Sequence, residues 1–158
     1  MDDIALARVL HVLGVILWIG GVSMATTVAL PAVQRGAFGA DRLRAFQAFE
    51  GRFVWQARGA VIIVGLTGLY MIVRLDLWDR FADVRFWWMH AMVCVWALFA
   101  FLLFIGEPFI LHRFFPTWAA RDPDRAFRVL QRVHVILLIL AVITIIGAVA
   151  GGHGWLIG

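Results

Sequence analysis

The chain predicts an all-α integral membrane protein, an antiparallel up-down four-helix transmembrane bundle. Of its 158 residues, 63% are hydrophobic, well above the roughly 45–50% apolar content of soluble domains. Mean hydropathy is +0.91. Apolar runs cover 4–30, 54–73, 86–111 and 133–150, and each reaches or approaches the about 20 residues that a membrane-crossing helix needs. Together they consume most of the chain, so one transmembrane domain is expected over 1–158, with no separate soluble domain.

The first run opens Met1-Asp2-Asp3 rather than with positive charge. It is too long for a signal peptide and ends without a small-residue cleavage site, so this helix is expected to stay in the mature protein. Pro31 is expected to end it, because proline cannot continue a regular helix. Between 36 and 58, Leu43, Phe46, Phe49 and Phe53 recur at helical spacing among arginines. This spacing fits either an interfacial amphipathic turn or an extension of the second helix. Glu107-Pro108 predicts a kink near the end of the third run. Asp122-Pro123 predicts a capped start for the fourth helix well before its apolar run. Gly14, Gly20, Gly21, Gly65, Gly68 and Gly147 suit close helix contacts in lipid. Such faces also suit a homodimer, although nothing fixes an interface. The single cysteine, Cys94, reads as a small packing hydrophobe.

All 14 basic residues are arginine. They concentrate in two connections, with Arg35, Arg42, Arg44 and Arg52 in the first and Arg113, Arg121, Arg125, Arg128 and Arg132 in the third. That placement marks cytoplasmic loops and lipid headgroup contacts rather than nucleic acid. Both termini and the middle loop are therefore expected outside.

Two histidines stand inside apolar runs, where an ionisable side chain is by default a functional hypothesis. His11 lies about 10 Å into the first helix and His90 about 6 Å into the third, by helical rise. Both helices are expected to enter from the outer side, so the pair is expected to face at one depth. Neutral imidazole ligates iron, copper and zinc. Gly14, Trp18, Gly21 and Ala25 share the His11 face, where the glycines leave room for a flat ligand and Trp18 supplies a wall. Val93, Ala97, Phe101 and Phe104 continue the His90 face. Arg8 and Arg85 suit haem propionates. His112 and His134, near the cytoplasmic boundary, are the second-choice ligand pair, and His153 falls in the glycine-rich tail. Soft thioethers at Met24, Met71, Met89 and Met92 keep copper as the alternative.

Arg8-Val9-Leu10-His11, followed by Trp18-Ile19-Gly20-Gly21 and Pro31, resembles the opening helix of the copper-resistance D and HemJ-like group of small bacterial membrane proteins. The resemblance covers mainly this first helix. It implies haem b binding in a bacterial inner (cytoplasmic) membrane and, for HemJ proteins, protoporphyrinogen oxidation. Those proteins carry a functional lysine near the start of the third helix. This chain has no lysine, and His90 stands in roughly that region. The exchange suits bis-histidine ligation, which leaves no open iron position and favours electron transfer.

The function expected from the sequence is thus a membrane b-type cytochrome with His11 and His90 as axial ligands. It would pass electrons from a quinol or other small donor to an external redox partner. Copper handling through His11, Met24 and His90 is the alternative, and protoporphyrinogen oxidation the second.

Overall fold

The computed structural model describes residues 3–39 and 41–154. The Met1-Asp2 opening and the last four residues lie outside the described residues. Among the described residues the regular structure is entirely helical. Four helices are long and apolar enough to cross a membrane. They are α1 (Asp3–Gln34), α2 (Arg42–Arg74), α3 (Val84–Leu111) and α5 (Pro123–Gly152), and a short helix α4 (Phe115–Arg121) precedes the last. Only 17–22% of each apolar window is buried inside the protein. Outward faces are thus as apolar as inward ones, which is the pattern of helices whose solvent is hydrocarbon.

Helix starts follow local chemistry. Asp41 accepts a hydrogen bond from the Arg44 backbone N–H at 3.0 Å and opens α2. Asp122 does the same for Arg125 and opens α5, with Pro123 in the first turn as expected. The 36–58 stretch is the extension of the second helix, so α2 begins twelve residues before its apolar run. Phe46 from that extension meets Phe115 and Phe127 at ring-centroid distances of 5.6 and 5.8 Å. These rings anchor a core at the arginine-rich end, together with Leu30, Val33 and Ala126.

Pro31 does not end its helix as the sequence predicts, and Pro108 is likewise carried inside a continuous helix. The helix runs past Pro31 to Gln34 and past Pro108 to Leu111. In both places the backbone widens to π geometry, over Ala25–Ala29 and over Leu102–Leu111. A wider turn shifts the carbonyl that faces the proline ring and removes the clash that would otherwise break the helix.

Contacts run in opposite order along α1 and α2. Asp3 meets Arg74, His11 meets Val64, and Phe53 fills the space above Gly21, so α1 and α2 are antiparallel. Between α3 and α5, Trp87 lies on Gly147 and Trp88 on Gly151, where an added Cβ would stand 2.5 Å from each ring. Trp96 of α3 lies on Gly65 of α2 and donates to the Val61 carbonyl at 2.9 Å. Three indoles seated on glycines thus fix how α3 is rotated. Cys94 lands on the exposed side, so it does not pack in the core. Gly20 likewise faces open space rather than a partner helix.

Candidate functional site

At the end that holds Asp3 and Gly154, the structure gives His11 and His90 separate surroundings. His11 turns inward to α2, where its Nδ1 lies 3.1 Å from the Val64 carbonyl and 3.1 Å from Thr67 Oγ1. His90 turns outward. Its Nε2 lies 3.0 Å from the Phe81 carbonyl in the loop, and its ring meets Phe81 edge-on. Val93, Ala97, Phe101 and Phe104 on the same face are all exposed. The two rings are therefore not brought to one site. The cause is the rotation of α3, which the indoles at 87, 88 and 96 set by burying the opposite face.

The His11 face is buried as expected, but α2 covers it. A Cβ at Gly14 would stand 2.8 Å from Val64 Cγ2, and one at Gly21 would meet the Phe53 ring. Trp18 packs edge-on against Phe99 at 4.9 Å. The space the glycines open is thus filled by protein, and the residues present do not fit a haem held between His11 and His90. Arg8 is exposed, and Arg85 is paired with Asp83 at 2.7 Å. Met24 is exposed and stands about 20 Å along the helix from His11 by helical rise, so these two residues do not share one site. His153 is exposed, and its Nδ1 lies against the Val149 carbonyl.

The arginine-rich end holds a different constellation. Glu50 of α2 and Glu107 of α3 are buried, with 6% and 9% of their surface exposed. Arg58, a little over two turns along α2 from Glu50, donates to Glu107 Oε2 at 2.7 Å. It also donates through Nε and Nη2 to the Leu103 carbonyl at 3.1 and 2.9 Å. His112 Nε2 meets the other Glu107 oxygen at 2.5 Å. Ligand atoms of Glu50, Glu107 and His112 all lie within 4.8 Å of one another. The Glu50 carboxylate makes no hydrogen bond, and its Oε1 is sealed from solvent.

Glu50 and Glu107 also line a cavity of about 340 Å³ with Trp18, Phe99, Leu137 and His134. Its walls are otherwise almost wholly apolar. His134 is half-buried, with Nδ1 held by the Leu130 carbonyl at 2.9 Å. The Trp18 Nε1–H, like Glu50 Oε1, is buried without a partner. Both atoms belong to residues that line the cavity, and burial makes each costly to leave unpaired.

No family model, curated protein or solved structure matches this chain. The site is therefore read from its own chemistry. Of the second-choice ligand pair, His112 falls in the Glu50–Glu107 group and His134 lines the cavity, and the two share no metal geometry with each other. Arg58 and Glu50 escaped the sequence reading. For Arg58 the signal was present, because it is a charge inside the second apolar run, the same criterion that singled out His11. Glu50 sits just before that run and carries no such mark.

Proposed function

We propose that the chain is a four-helix membrane protein that binds a quinol-class molecule in the cavity at its arginine-rich end. The four long helices would form an antiparallel bundle across a bacterial cytoplasmic membrane, with both termini outside and the cavity in the cytoplasmic half. The arginine distribution supports that orientation.

One observation carries the ligand class: the unpaired Trp18 N–H and the unpaired Glu50 oxygen belong to residues lining one apolar cavity. A ligand that satisfies both needs an acceptor and a donor on one head, and an apolar body for the remaining walls. A quinol has hydroxyl groups that serve in both senses and a hydrocarbon tail that continues into lipid. Glu50 is also the group placed to take a hydroxyl proton, and Glu107, His112 and Arg58 beside it lead toward the arginine-rich surface.

The test is binding of decylubiquinol to protein in lipid nanodiscs, read as the thermal shift it produces. Trp18→Phe and Glu50→Gln should each weaken binding about tenfold, the worth of one hydrogen bond of about 1.4 kcal/mol. Ala57→Phe, on the cavity wall, should abolish it. Binding indifferent to all three would overturn the reading.

A second reading, haem b binding through His11, has one observation in its favour. The Nδ1 of His11 is held by a backbone carbonyl, which fixes the ring and leaves Nε2 unengaged, as in metal-ligating histidines. It requires a ligand other than His90 and an opened contact between α1 and α2. A low-spin b-type spectrum lost in His11→Ala would support it, and a protein that takes up no haem would remove it.

A further inference from the structure

We propose that Glu50, Glu107 and His112 form a binding site for a first-row divalent cation on the wall of the cavity. Three observations converge. The ligand atoms of these residues, drawn from α2, α3 and the end of α3, already lie within 4.8 Å of one another. Glu50 is 94% buried by its 6% exposure, yet its carboxylate has no hydrogen-bond donor and its Oε1 is sealed. A buried carboxylate is ordinarily paired or coordinated, because its uncompensated charge is costly away from water. Glu107, by contrast, has both oxygens engaged, and its partners divide its work.

Arg58 holds Glu107 Oε2 and is itself fixed by the Leu103 carbonyl. This leaves Oε1 aimed at His112 Nε2 across 2.5 Å. A cation inserted there, at about 2.0–2.2 Å from each atom, would part them to about 3–3.5 Å. His112 has room to move, since its side chain is 55% exposed and follows the last turn of α3. Arg58 then acts as a positioning residue that orients the Glu107 ligand from behind.

Two carboxylates and one imidazole make a mostly hard donor set. It suits Zn²⁺, Mn²⁺ or Fe²⁺ and disfavours Cu(I), which selects thiolates and thioethers. His112 opens to solvent at the arginine-rich end, so the cation would load from that side. Three protein ligands leave at least one position for water or for an oxygen of a molecule in the cavity. The inference goes beyond the quinol reading and does not require it. Cation binding is measured with no quinol present, so either can fail alone.

The experiment uses the full chain, purified in detergent and stripped with chelator, with Zn²⁺ titrated by calorimetry and Co²⁺ followed by its visible ligand-field bands. One Zn²⁺ per chain is expected, with affinity reduced at least tenfold in Glu50→Gln, Glu107→Gln and His112→Ala. Glu50→Gln is the decisive variant, because it breaks no hydrogen bond and thermal unfolding will show that it folds. Arg113→Ala, beside the site but not in it, should bind as the parent does. Absence of Zn²⁺ binding, or stoichiometric binding that Glu50→Gln leaves unchanged, would overturn the proposal.

Discussion

Arg58 donates twice to the Leu103 carbonyl, at 3.1 and 2.9 Å, and thereby fills the place that Pro108 leaves vacant. In the π register of Leu102–Leu111 a carbonyl looks to the N–H five residues on, as His112 N–H does to Glu107 at 3.1 Å. For Leu103 that residue is proline, which has no N–H. The same arrangement recurs in α1. Leu30 N–H bonds to Ala25, Pro31 offers nothing to the Thr26 carbonyl, and Gln131 Nε2 reaches from α5 to donate to it at 2.7 Å. Each proline frees one carbonyl in an apolar setting, and a long polar side chain from another helix satisfies it, as lipid requires.

Removing the Gln131 donor should cost more when Pro31 is present than when it is not. Gln131→Leu is expected to destabilise by about 1 kcal/mol, the low end for an orphaned carbonyl. The low end applies because Gln131 Oε1 is itself unpaired and disappears with it. In a Pro31→Ala background the restored N–H should cut that cost by more than half. Denaturant unfolding of the four proteins in detergent measures the coupling, and equal costs in both backgrounds would refute it.

Arg58→Leu should be among the most damaging single changes in the chain. It leaves the Leu103 carbonyl and Oε2 of the 9%-exposed Glu107 without their donor. Breaking one side of a buried pair typically costs about 3–5 kcal/mol. Arg58→Lys should recover part of this, since it keeps the charge but cannot serve both acceptors with a planar fork. Comparing unfolding midpoints of the two variants decides whether the fork matters beyond the charge.

The fold was largely legible. Four apolar runs, the Asp122-Pro123 cap and the helical spacing of Leu43, Phe46 and Phe53 correspond to what forms, because each rests on local chemistry. The site was less so. Helix rotation in lipid is not written in a hydrophobic periodicity when every face is apolar, so His90 could be placed in depth but not in direction. Its direction follows from Trp87, Trp88 and Trp96 meeting glycines far away in sequence. The passage of the helix through Pro31 was hidden likewise, since proline in a soluble helix is a stop whereas here a distant donor, Gln131, satisfies the carbonyl it frees.

The indole seats give a direct check on that rotation. Gly65→Leu and Gly147→Leu place carbon where a Cβ alone would come within 2.6 and 2.5 Å of an indole, and each is expected to cost about 1–3 kcal/mol. Gly20→Ala, whose Cβ meets nothing within 4 Å, should be neutral or stabilise by up to about 1 kcal/mol. Thermal unfolding of the three variants tests the set, and a destabilising Gly20→Ala would contradict the described packing.

The loop before α3 should soften in acid. Asp83 accepts from the Arg85 backbone N–H at 2.9 Å, and the Arg85 guanidinium beside it holds its carboxyl below the ordinary carboxylate range. A depressed folded-state value means stability that is present above the ordinary carboxylate range and lost as pH falls through the lowered value. Asp83→Asn should remove that part of the acid dependence. Hydrogen exchange of the Arg85 amide between pH 2 and 6 reports it, and exchange with the same pH profile in both proteins would refute the assignment.

Each widened turn holds about one residue more than an α-helical turn over the same span would. Deleting a single residue between Leu102 and Gly106 would let α3 relax to the common register. The price of that simpler helix is a swing of about 100° for everything that follows. Glu107 would leave Arg58, and His112 would be carried off with it. The wide turn therefore behaves as a spacer that sets the bearing of the acidic centre. A lineage that lost it would keep its four spans and lose the convergence of α2 and α3 on one point.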